Sequence, residues 1–125
     1  MKNNKFLFYF FIVYFPYNTL TEEKIMGKRA DKAYKLFMEG FTCSQSVFAA
    51  FSDLFGIDEK TALRASAGLG GGVGRMREIC GVVTSASLVL GLMYGATEGE
   101  DSQSKAYTYE KVREFSARMK EKVNG

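Results

Sequence analysis

Gly40-Phe41-Thr42-Cys43-Ser44-Gln45-Ser46-Val47-Phe48-Ala49-Ala50-Phe51-Ser52-Asp53-Leu54-Phe55-Gly56 is the stretch that decides the fold. Thr42 and, three residues on, Gln45 match a capping box, in which each side chain takes the other's orphan backbone N–H. Val47, Phe48, Ala50, Phe51, Leu54 and Phe55 then share one side of a helix, and Gly56 stops it. The same grammar runs outward in both directions. Upstream, Ala30, Tyr34, Phe37, Met38 and Phe41 recur at helical spacing around 31–39, with Gly40 as a C-terminal stop. Downstream, Asp58 is an N-cap for a short helix carrying Ala62, Leu63, Ala65 and Ala67 to Gly68. A nearly uncharged segment over about 77–94 reads as a buried central helix. After a loop at 95–101, a last helix over about 104–123 turns Tyr109, Val112, Phe115, Met119 and Val123 inward. Glu114 and Arg118 sit four apart on its wet face. No apolar–polar alternation of strand type occurs, so the expected class is all-α: a single-domain bundle of about five helices.

Composition bounds the chemistry. The chain has 125 residues, a net charge of +3, one Pro, two Cys and no His. That length suits one domain with its own core. Without His there is no Ser-His-Asp triad, no His general base and no Cys2His2 zinc site. Two Cys neither close a four-thiolate zinc site within one chain nor build a disulfide-dense secreted scaffold. The weak, mixed positive charge gives no footprint for nucleic acid. No carboxylate pair sits in an apolar segment, which leaves acid–base hydrolysis without support.

Residues 1–25 differ from the rest. They hold 8 of the 18 aromatic residues, and 6–15 is an unbroken apolar run preceded by Lys2 and Lys5. Ten residues are too few to span a bilayer, which takes about 20. A basic start and a short apolar run match a signal or anchoring segment. However, Pro16-Tyr17-Asn18-Thr19-Leu20 offers no small-residue cleavage site. The other reading is translated upstream sequence. Phe, Tyr, Asn, Lys and Ile have A/T-rich codons, and Glu22-Glu23 can be encoded by a purine-rich ribosome-binding element spaced before Met26. We take Met26 as the expected start and 26–125 as the domain. On that reading the chain belongs in the cytoplasm; with residues 1–25 as a working signal it is exported or membrane-associated.

Three features carry possible chemistry. Cys43 is the first residue of a capped helix, where unpaired N–H groups and the positive end of the helix dipole favour a thiolate. As a plain alternative, a Cys is often a small buried hydrophobe. Cys80 follows Arg75 and Arg77 and opens the apolar helix. From it runs a stripe of small residues, Thr84, Ser87, Gly91 and Gly95, with Gly81 and Ser85 beside it. The stripe reads either as tight helix packing or as a slot beside a thiol. The third feature is Gly68-Leu69-Gly70-Gly71-Gly72-Val73-Gly74-Arg75, five Gly in seven residues. It lacks the Gly-Lys-Ser/Thr ending of a P-loop and the preceding strand of a dinucleotide fingerprint. Gly70, Gly71, Gly72, Gly74 and Arg75 are a weak candidate anion seat; a sharp turn bringing Cys80 near Cys43 is the favoured use.

Four segments together resemble a known family. They are 40–47 around Thr42-Cys43-Ser44, Gly70-Gly71-Gly72-Val73-Gly74-Arg75-Met76, Glu78-Ile79-Cys80-Gly81, and Val89-Leu90-Gly91-Leu92. In order and spacing they are similar to the C-GCAxxG-C-C family, small helical bacterial and archaeal proteins to which a thiol redox role is ascribed. The match covers about 26–123. The resemblance implies an all-α fold and redox work at a thiol pair, Cys43 and Cys80, as a reversible disulfide or a thiolate metal site. Two departures stand out. The family favours a small residue after the central Cys-Gly and a Gly in place of Ser85. Its members also continue to further Cys beyond the last helix, whereas this sequence ends at Asn124-Gly125. The expected function is therefore that of a redox-active thiol-pair protein, with an unidentified redox partner. The alternatives are a non-enzymatic helical binding module or an inactive truncated family member. Two chains would supply four thiols, enough for a homo-oligomer to share a tetrahedral metal site.

Overall fold

A computed structural model describes residues 20–79 and 81–124, with side chains described over 28–79 and 81–120. Cys80 lies outside the described residues, as do 1–19, the bulk of the aromatic N-terminal segment, and the side chain of Val123. The described residues are helical, without a strand: α1 (Leu20–Met38), α2 (Cys43–Phe51), α3 (Glu59–Ala65), α4 (Gly81–Tyr94) and α5 (Ser102–Asn124). Short 3-10 turns follow α2 at Ser52–Phe55 and α3 at Ala67–Leu69. Among the described residues the expected all-α bundle of five helices forms.

The helix ends follow from the sequence grammar. Gly40 has φ +109°, which side chains disfavour. With Gly40 turned so, Phe41 N–H reaches Leu36 O (3.2 Å) and Gly40 N–H reaches Phe37 O (3.1 Å), the paired bonds of a Schellman stop. Gly56 repeats this after α2: Ile57 N–H bonds Ser52 O at 3.1 Å and Gly56 N–H bonds Asp53 O at 3.3 Å. Asp58 caps α3 by accepting from Thr61 N–H at 3.0 Å, and Asp101 caps α5 by accepting from Ser104 N–H at 3.0 Å. The carboxyls of both caps are held below their ordinary pKa, chiefly by these Thr61 and Ser104 partners. On α5, Arg118 bonds Glu114 at 2.7 Å, the expected pair four apart.

One core draws on all five helices. α1 presents Ala30, Ala33 and Leu36, α3 presents Ala62, α4 presents Val82, Ala86, Val89 and Leu90, and α5 presents Phe115 and Met119. α2 lies in the middle: seven of its nine residues are buried, Phe51 and Val47 nearly completely. Close packing of α2 against α1, α3 and α4 is allowed by its small Ala49 and Ala50. α4 is held between α2 and α5.

Several expectations shift. α1 begins at Leu20, upstream of the expected 31, so it crosses position 26. α4 starts at Gly81 and not at 77, because Arg77 has φ +56° and cannot lie in a right-handed helix. Leu54 is 52% exposed although the periodicity placed it inward. The cause is the 3-10 turn, which advances about 120° per residue and rotates Leu54 off the apolar side. Met38 (65%) and Tyr109 (60%) also face solvent, one at the very end of α1 and the other on the part of α5 that precedes Phe115. No helix among the described residues is long and apolar enough to cross a membrane.

Candidate functional site

Cys43 is the first residue of α2, as expected, and is half-buried. The capping box in front of it is complete. Gln45 N–H donates to Thr42 Oγ1 at 3.3 Å, and Thr42 N–H donates to Gln45 Oε1 at 3.2 Å. The Gln45 amide also donates to Leu63 O at 3.0 Å, which ties the start of α2 to α3. That second bond is a long-range contact the capping pattern does not encode.

Two glycines close on this helix start. Gly70 is buried, and a Cβ there would stand 2.7 Å from Thr42 Cγ2. Gly81, the first residue of α4, is similarly confined. A Cβ on it would meet Ser44 Oγ at 2.9 Å, Ser44 N at 3.2 Å and Cys43 Cβ at 3.4 Å. The starts of α2 and α4 therefore touch backbone to side chain, which only Gly permits here. Gly81 is the residue bonded to Cys80 in the chain. Thr84 Oγ1 donates to Gly81 O at 3.1 Å, and Ser85 Oγ donates to the same carbonyl, so hydroxyls of the small-residue stripe steady the first turn of α4. Ser44 was not singled out by sequence reasoning. It is fully buried, and its Oγ has no hydrogen-bond partner among the described residues.

The glycine-rich loop is a left-handed turn. Gly71, Gly72, Val73, Gly74 and Arg75 have φ of +63°, +76°, +65°, +56° and +63°. A β-branched residue such as Val73 is an outlier there, a conformation that costs about 1–3 kcal/mol and survives only where the surroundings enforce it. Enforcement comes from a ladder of loop bonds: Gly74 N–H to Gly68 O (2.8 Å), Arg75 N–H to Gly70 O (3.0 Å), Arg77 N–H to Gly71 O (3.1 Å) and Glu78 N–H to Gly72 O (3.0 Å). The N–H groups of Val73 and Met76 donate within the loop as well. These six amides are thus engaged with loop carbonyls. Of the proposed anion seat, Gly70 packs on Thr42, while Gly71, Gly72 and Arg75 border an open cleft of about 590 Å³ with Arg77 and Glu78. Gly74 has nothing near the position of its missing Cβ.

The small-residue stripe divides. Its Gly81 and Ser85 end packs tightly, whereas Gly91 has open space where a Cβ would be, so close helix approach does not run its full length. Thr84 and Ser87 instead line a groove of about 600 Å³ between α4 and α5, together with Val83, Val112 and Met119.

Residues 41–125 match the family model described as "Putative redox-active protein (C_GCAxxG_C_C)". The chain belongs to that family. No curated protein and no solved structure matches it. The family match takes in the whole joint just described, from Thr42 and Cys43 through the glycine loop to Gly81. A thiolate metal site finds only part of a ligand set. Cys43 and Cys80 would supply at most two of the four ligands of a tetrahedral zinc site. Among the described residues no group of three or more Cys, Asp or Glu side chains gathers around a common point.

Proposed function

We propose that this C_GCAxxG_C_C protein transfers electrons through a dithiol–disulfide couple formed by Cys43 and Cys80. The observation that carries the reading is the contact of Gly81 with Cys43 and Ser44, because Gly81 is covalently joined to Cys80. A disulfide needs its two Cα atoms within about 7 Å. The second support is local: Cys43 heads a capped nine-residue helix, whose first N–H groups and dipole favour the thiolate over the thiol.

The partner is of the disulfide class, a protein or small-molecule disulfide. The Cys43 thiolate attacks one of its sulfurs, forming a mixed disulfide while the partner's S–S bond breaks and the departing sulfur leaves as thiolate. The Cys80 thiolate then attacks Cys43 Sγ. The Cys43–Cys80 bond forms and the second partner sulfur leaves. Two electrons pass to the partner, and the two protons given up by Cys43 and Cys80 reach its two thiolates through solvent. With a dithiol partner the sequence runs in reverse.

Trapping with glutathione disulfide tests the assignment of roles. The Cys80→Ser variant is expected to accumulate one glutathionyl adduct, mapped to Cys43, while the unaltered chain resolves it and releases glutathione. Equal accumulation in both proteins, or no adduct at Cys43, contradicts the mechanism.

A further inference from the structure

Ser44 is fully buried, with no hydrogen-bond partner for its Oγ among the described residues. Burying a hydroxyl without a partner is unfavourable, so such a group calls for a physical reason. Its surroundings supply one. Ser44 Oγ and Cys43 Cβ lie 2.9 Å and 3.4 Å from a single point, the position of the missing Cβ of Gly81. The hydroxyl thus faces the place where the two helix starts meet, beside the residue bonded to Cys80. It also sits in the first turn of α2, and its own backbone N lies 3.2 Å from the same point. A hydroxyl is a strong donor to an anion and a poor partner for a neutral thiol.

We propose that the Ser44 hydroxyl donates a hydrogen bond to the sulfur anion that forms between the starts of α2 and α4, and so stabilises that anion for exchange. The inference rests on the dithiol reading and names the group that tunes it. Ser46 is a built-in comparison. It is also fully buried and its Oγ also lacks a partner among the described residues, but it lies two residues on, about 200° round the helix from Ser44.

The test uses two single-thiol proteins, Cys80→Ala and Cys43→Ala, each with and without Ser44→Ala. The rate of alkylation by iodoacetamide is followed against pH. In at least one of them Ser44→Ala is expected to raise the apparent thiol pKa by about one unit, which leaves about tenfold less thiolate at a pH below both values. Ser46→Ala is expected to leave the profile in place. Thermal unfolding should show a midpoint for Ser44→Ala that is unchanged or higher, because a buried, unsatisfied hydroxyl has been removed. An unmoved pH profile in both single-thiol proteins overturns the proposal, as does an equal shift from Ser46→Ala. Oxidation of the dithiol chain is read separately. A Cys43–Cys80 disulfide that forms with an unmoved profile removes the role of Ser44 and keeps the couple, whereas no disulfide removes both.

Discussion

The two ends of α2 are closed in opposite ways. At its C-terminal end large and charged side chains do the holding. The Arg29 guanidinium donates to Ala50 O at 2.8 Å and to Asp53 Oδ1 at 2.6 Å, and its carbon stands 5.5 Å from the centre of the buried Phe51 ring. A cation at a helix C-terminus also suits the dipole. At the N-terminal end Gly70 and Gly81 do the holding, by leaving out a side chain where Thr42, Cys43 and Ser44 need the space. One end therefore fails when atoms are removed and the other when atoms are added. Only the second end carries a thiol.

Three substitutions sharpen that contrast. Phe51→Ala, at the filled end, is expected to cost about 3–5 kcal/mol of stability by chemical denaturation, while the folded fraction keeps normal thiol exchange. Gly81→Val, at the glycine end, is expected to cost about 1–3 kcal/mol, since its Cβ meets Ser44 Oγ and the Ser44 backbone. Unlike Phe51→Ala, it should also suppress formation of the Cys43–Cys80 disulfide in protein that remains folded; if exchange survives, the close approach of the two helix starts is not what serves it. The smallest effect belongs to Asp53→Ala. Arg29 holds the Asp53 carboxyl below its ordinary value of 3.8, first through the hydrogen bond and then through its charge. A lowered carboxyl pKa means stability that is present above the ordinary value and lost as pH falls through the lower, folded one. Asp53 is largely exposed, so the loss in the variant should stay under about 1 kcal/mol at neutral pH. The difference between the variant and the unaltered chain should vanish toward pH 2, and a constant difference across that range would show that the ion pair is not its source.

The fold was legible wherever a local rule had no competitor. Thr42 with Gln45, Gly40, Gly56 and Asp58 each mark a helix end by a bond within a few residues, and each does so in the structure. The α4 start was misplaced because Val73, Arg75 and Arg77 adopt left-handed φ, a state that side-chain-bearing residues avoid and no local pattern announces. α1 reaches back to Leu20 because residues 20–25, set apart with the aromatic segment by composition, continue its helix. At the site, the place of Cys43 at the head of a capped helix was readable from position alone. The burial of Ser44 against Gly81 was not: Gly81 is far along the chain, and a Ser in the first turn of a helix looks like ordinary capping chemistry.

The central claim is that Cys43 and Cys80 form one redox couple within a single chain. Equilibrating the protein in a series of glutathione redox buffers, quenching with acid, alkylating and weighing the intact chain tests it most directly. The account predicts that both alkylation sites disappear together over one range of potential, leaving a monomer lighter than the dithiol by two hydrogens. Two alkyl groups throughout the series, or chains that end as separate glutathione adducts, would contradict it.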